Sequence, residues 1–182
     1  MRSTSTALLT LLAFGAALWS SASAQSGAGA PRSGQASPGA CSLLTEEQVK
    51  TLIYRGQRPD APAEEIPRKG GTACAFNGGQ HQLILFSGPS SEADFESTLK
   101  AYKHDKEARH PVSGVGDKAY IMYPPPQNQY QRPTAFLVTR VGPHTLGVVI
   151  AAQSRQAKAE SMQPAAAEVA RAAIATLRSG AK

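Results

Sequence analysis

Few side chains in this 182-residue chain could do chemistry, and they lie far apart. The four histidines, His81, His104, His110 and His144, contain neither an H-x-x-x-H nor an H-E-x-x-H spacing, which would turn two imidazoles toward one metal from a single helical face. Zinc and copper sites group their ligands more tightly, so no metal ligand is assigned. No G-x-S-x-G elbow raises a serine nucleophile, and Ser90 and Ser91 read instead as helix caps. Of the adjacent carboxylates, Glu46-Glu47 suits a helix N-terminus and Glu64-Glu65 falls in a charged loop. Gly114-Val-Gly-Asp-Lys-Ala119 fits the dinucleotide pattern G-x-G-x-x-A in form. That pattern needs a helix to follow, so that the helix N-terminus can meet a pyrophosphate. Tyr120-Ile-Met-Tyr-Pro-Pro-Pro126 cannot be that helix, and a glycine turn entering a strand is expected. No catalytic residue, cofactor or cofactor-binding residue is assigned.

The two cysteines, Cys41 and Cys74, have a meaning that depends on compartment. Met1-Arg2 carries a positive charge, and the apolar run Ala7–Trp19 has 13 residues, interrupted by Thr10 and Gly15. Ala22-Ser-Ala24 then precedes Gln25. This is the charged, apolar, small-residue order of a secretory signal peptide over residues 1–24. Spanning a bilayer takes about 20 apolar residues, so the run is too short for an anchor. Gln25 stands where a lipoprotein would carry its cysteine. A periplasmic or secreted location follows, with no transmembrane segment in the mature chain. In an oxidising compartment one cysteine pair permits one intramolecular connectivity, and Cys41–Cys74 is expected as a structural disulfide. A redox pair normally sets its cysteines two residues apart, and a metal site needs further ligands close by.

Beyond the signal peptide, 18 Lys and Arg face 13 Asp and Glu, a net charge of +5 scattered along the chain. Nucleic-acid binding is not expected, because it requires a basic stripe. No internal repeat occurs. Residues 25–40, nearly all Gly, Ala, Ser, Pro and Gln, cannot bury enough apolar surface to offset their ordering entropy and read as a disordered spacer. Residues 41–179 have the length of one domain and 180–182 form a tail.

Within that domain Thr45 and Gln48 form a capping box, with Leu44 and Val49 as a hydrophobic staple, and Gly56 suits the helix stop. Residues 56–70, with three prolines and mixed charges, read as a surface loop. Thr72–Phe76 and His81–Phe86 read as a hairpin around Asn77-Gly-Gly79, and Leu83-Ile-Leu-Phe86 is apolar on both faces, as in a central strand. Ser91 and Asp94 cap a second helix carrying Phe95, Leu99 and Tyr102, which ends before Pro111. Strands are expected at 118–123, 134–139 and 145–151, the last two joined by a turn at 141–144. A closing helix runs from Pro164 to about Arg178, with a stripe of Ala166, Ala170, Ala173, Ile174 and Leu177. The expected fold is α+β: one domain in the order αββαβββα, an antiparallel sheet of about five strands with helices mostly on one face.

Two surface features stand out. Lys100, Lys103, Lys106 and Arg109 recur every third residue as a basic ridge, read first as a solvated face and second as a contact for an acidic partner or anionic lipid. The segment 123–133, rich in proline, offers Tyr123, Tyr130 and Arg132, residue types favoured at recognition surfaces, on a stiff projecting loop. A long, tolerated hairpin loop is the plainer account of it.

Cys41-Ser-Leu-Leu-Thr45 opening a helix, Cys74 two residues before an aromatic, Gly114-Val-Gly-Asp-Lys-Ala-Tyr120 entering a strand and a final Ala-rich helix occur in one order. Over residues 41–178 this resembles small bacterial cell-envelope domains of unknown function, many of them actinobacterial lipoproteins, although the lipobox is missing and Phe76 replaces a frequent Trp. The resemblance implies a compact disulfide-linked α+β fold similar to the PsbP/Mog1-like fold, and no activity. The expected function is that of an exported accessory or binding domain of the envelope, monomeric, whose partner is an envelope protein or a small ligand. The alternative is an envelope hydrolase with an unrecognised active site.

Overall fold

A computed structural model describes residues 38–56, 59–78, 81–101, 109–125, 131–152 and 154–180. The expected signal peptide, most of the expected spacer, Tyr102, Lys103, His104, Lys106 and Tyr130 lie outside the described residues.

A 3-10 turn at Ala40–Leu43 leads into helix α1, Glu46–Leu52. The Thr45 hydroxyl accepts from the Gln48 amide and the Gln48 side chain accepts from the Thr45 amide, so the capping box forms as read. Arg55 and Gly56 both adopt positive φ, 49° and 90°, and the Gly56 amide closes the helix end on the Lys50 carbonyl.

The sheet has seven antiparallel strands where about five were expected. In chain order they are β1 (Glu64–Arg68), β2 (Gly71–Gly78), β3 (His81–Pro89), β4 (His110–Pro111), β5 (Lys118–Met122), β6 (Thr134–Val141) and β7 (His144–Ala152). Their spatial order is β1-β2-β3-β7-β6-β5-β4, two meanders joined where β3 pairs with β7. The element order is therefore αβββαββββα, which corrects αββαβββα. The added strands are the two edges. In β1 all five residues are exposed, so burial leaves no alternating pattern in the sequence, and the strand exists because its backbone pairs with β2. Pro67 and Pro111 sit in these edge strands, where a missing N–H costs no central ladder bond and blocks further strand addition.

Side-chain alternation divides the sheet into two faces. On one face Cys74, Phe76, Leu83, Leu85, Ile121, Leu137, Leu146, Val148 and Ile150 form the main core with α1 and with helix α3, Gln163–Gly180. The whole expected stripe of α3, Ala166, Ala170, Ala173, Ile174 and Leu177, is buried there. Alanine on this face lets the helix backbone approach the sheet closely. On the opposite face helix α2, Glu92–Ala101, buries Phe95 and Leu99 against Met122, Phe136 and Val138. Of the three α-helices among the described residues, two thus share a face and the third covers part of the other.

The Cys41–Cys74 disulfide is present and joins the 3-10 turn to β2, with Cα atoms 4.8 Å apart. Around it the Thr72 hydroxyl accepts from the Ala40 amide at 2.6 Å, and the Glu65 carboxylate accepts from the Cys41 amide at 3.2 Å.

Candidate functional site

The residues singled out by type are distributed between structural duties and one groove. The Gly114–Ala119 segment turns into β5, as expected, and its contacts explain its composition. Gly114 and Gly116 take φ of 70° and 62°, and Val115 is buried in the main core. A Cβ on Gly116 would collide with the Thr139 hydroxyl and the Arg140 carbonyl. The Thr139 hydroxyl donates to the Val115 carbonyl at 3.1 Å, and Asp117 receives the Gly142 amide at 2.6 Å. The motif docks the β6–β7 hairpin and has no helix after it.

The basic ridge is described only at its ends. Lys100 lies in the last turn of α2, whereas Arg109 has left the helix and folds back, donating from Nη2 to the Leu99 carbonyl at 3.0 Å. Arg109 therefore caps the helix end, and its partial burial removes it from a solvated row. Of the candidate contact loop, Tyr123 is held inward: its hydroxyl donates to Gln163 Oε1 at 2.6 Å, and its ring lies 5.5 Å from that of His110. Burial raises its phenol pKa. Arg132 is exposed, and its carbonyl accepts the Thr134 hydroxyl at 3.0 Å. Of the residues expected on the projecting loop, Tyr123 therefore packs against the main core instead. Among the described residues no three His, Cys, Asp or Glu side chains gather as a metal site.

What the residue types did not reveal is a groove of 480 Å³ on the α2 face. The sheet register builds it. Gly147 on β7 lies opposite Phe86 on β3 and Val138 on β6, so a position without a side chain stands between two large ones. The rings of Phe86 and Phe136 lean over it, 3.2 and 3.4 Å from where a Cβ would stand. Two aromatic rings thus line the floor, Phe86 half-buried and Phe136 buried. One wall is α2, presenting Asp94, Ser97 and Thr98. The other is the β1–β2 turn, Arg68-Lys-Gly-Gly71. That turn is drawn onto β3 because Gly71 and Gly88 pass backbone against backbone, leaving no room for a Cβ on either.

Charge is unequal across the groove. Arg68 places its guanidinium carbon 4.5 Å above the centre of the Phe86 ring, a cation–π contact at the groove's edge, and Lys69 follows it in the turn. Asp94, opposite, is engaged within its own helix cap: it accepts from the Ser91 amide at 2.9 Å and the Ser91 hydroxyl at 2.7 Å. These bonds hold its carboxyl below the usual range. At one end of the floor Thr145 Oγ1 is buried with no hydrogen-bond partner among the described residues.

Helix α2 is fastened to the sheet beside the groove. Lys118 pairs with Glu96 at 2.9 Å and with Glu92 at 3.3 Å, and Arg140 pairs with Glu92. The hydrogen bond between them lowers the Glu96 pKa and raises that of Lys118. The sequence did carry one trace of the groove: Leu83-Ile-Leu-Phe86 is apolar on both faces although α2 covers only part of the second. No family model, curated protein or solved structure matches the chain.

Proposed function

We propose that the protein is an exported binding domain of a bacterial envelope, and that the groove on the α2 face captures its ligand. One observation carries this reading: a 480 Å³ groove joins an aromatic floor, Phe86 and Phe136, to polar groups on two walls. That is the composition of small-ligand sites, in which apolar surface supplies affinity and a few polar groups orient the guest. Export rests on the order of residues 1–24 and is supported by the disulfide, since oxidising compartments favour such bonds. The envelope setting rests on the resemblance of the motifs at 41–45, 74–76 and 114–120. The groove is preferred to the 123–133 loop as the contact site because Tyr123 is committed to Gln163 and His110.

The test is to express the full chain with its leader and recover the exported protein. It is then incubated with an envelope small-molecule extract and examined by native mass spectrometry. The expected result is an N-terminus at Gln25 and a non-covalent adduct that is lost on F86A. Absence of any adduct would refute the groove. Release of cleaved products from the extract would favour the hydrolase alternative.

A further inference from the structure

We infer that the groove selects a small amphiphilic anion, an apolar body ending in a carboxylate, with the carboxylate held at the Arg68–Lys69 turn. This rests on the groove being the ligand site. The floor requires an apolar guest, because Phe86, Phe136 and Val138 offer no hydrogen bond from their side chains. The sign of the head group follows from what is already engaged on each wall. Asp94, the one carboxylate among the described residues of the walls, spends its Oδ2 on two hydrogen bonds from Ser91, and the two cations of the opposite turn, Arg68 and Lys69, outnumber it. Arg68 is exposed, its guanidinium carbon lies 4.5 Å from the centre of the Phe86 ring, and its N–H edge makes no hydrogen bond among the described residues. A carboxylate fits that edge, where two parallel N–H donors match two oxygens.

A second group marks the groove as a polar site without fixing the sign of its guest. Thr145 Oγ1, buried and without a partner among the described residues, can donate to or accept from a guest polar atom lying on the floor. Thr145 occupies the transverse row of the sheet that includes Gly88, Gly71 and Arg68, because it pairs with Gly88 and Arg68 pairs with Gly71. The two glycines separate it from Arg68 with no side chain between. One row of the groove thus runs from a guanidinium, over bare backbone, to an unsatisfied hydroxyl. The guest carboxylate takes its donors at the Arg68 end of that row, and its body can lie over the neighbouring Phe86.

The probes are 2-naphthoate and decanoate, which separate planar from chain-like bodies, with 2-naphthamide and 2-naphthylmethylamine as neutral and cationic counterparts. Titration calorimetry of the exported, disulfide-intact protein is read together with amide chemical shifts of Arg68, Thr145 and Gly147. At least one carboxylate should bind about tenfold more tightly than 2-naphthamide, the size of one charge-assisted contact. R68Q should remove that preference while leaving the amide's affinity in place. K69Q, in the exposed turn, repeats the test on a second cation should R68Q disturb β1. Equal affinity for naphthoate and naphthamide within the groove would overturn the anion inference and leave the binding site standing. Preference for the amine, shifts confined to other surfaces, or no binding by any probe would overturn it as well. The native adduct with envelope extract judges the groove independently.

Discussion

The hydroxyl of Tyr123 donates to Oε1 of Gln163 at 2.6 Å, across 40 residues of sequence. This bond ties the end of β5 to the first residue of α3, beside the His110 ring. Tyr123 is accordingly part of the frame. Y123F should cost about 1 kcal/mol, the usual net contribution of one such bond, and Y123A should cost more through lost packing. Urea unfolding followed by circular dichroism measures both. A Y123A protein as stable as the parent would return the residue to the contact loop.

The disulfide joins segments 33 residues apart. C41S or C74S should lower stability by about 3–4 kcal/mol, chiefly because the unfolded chain regains the freedom of that loop. Denaturant midpoints provide the number, and a non-reduced peptide map should recover the two cysteines in one linked fragment. Free thiols in the unreduced protein would contradict the structure.

Gly114 and Gly116 make a paired comparison. Both have positive φ, but nothing lies within 4 Å of a Cβ on Gly114, whereas one on Gly116 meets Thr139 and Arg140. G114A should cost about 1 kcal/mol for the left-handed backbone alone, and G116A about 2 kcal/mol or more. Thermal melts of the two variants should differ in that order. The reverse order would show that the turn does not dock the hairpin as described.

Tyr54 is 3% exposed and donates its hydroxyl proton to the Phe76 carbonyl at 2.8 Å. Burial pushes its pKa up to about 12, with the Asp60 carboxylate adding to the shift. The folded state therefore holds this proton more tightly than the unfolded chain does. The associated stability is fully present below pH 10, the ordinary value, and is lost as pH rises toward about 12. In Y54F that alkaline loss should flatten, at a cost near 1 kcal/mol at neutral pH. Denaturation midpoints measured at pH 9 to 12 with parent and variant would show it; identical slopes would exclude Tyr54 as the source.

The acid side concerns α2. Asp94 and Glu96 both have carboxyl pKa values below their ordinary range, through Ser91 and Lys118 respectively. Depressed folded-state values mean stability that is present at neutral pH and lost as pH falls through the carboxylate range. The amides of α2 should broaden or shift in two-dimensional NMR at a higher pH than those of α3, and E96Q should move that transition. Simultaneous loss of both helices would mean that α2 has no separate acid weakness.

The sequence by itself determined the parts whose signals are local. Thr45 with Gln48 and Ser91 with Asp94 specify helix starts, because capping bonds span only three residues. The α3 stripe was legible for the same reason, since residues three and four apart share a helical face wherever that face is buried. One cysteine pair allowed only one internal bridge. The tertiary structure alone decided β1 and β4, whose exposed residues show no periodicity and whose backbones pair only because β2 and β5 are beside them. It also decided the groove. Phe86, Gly147, Val138 and Arg68 come from four strands, and nothing local in any of them foretells the others. Only the interstrand register puts a glycine between two large side chains and a guanidinium over a ring, because register is a relation between strands and is written in none of them singly.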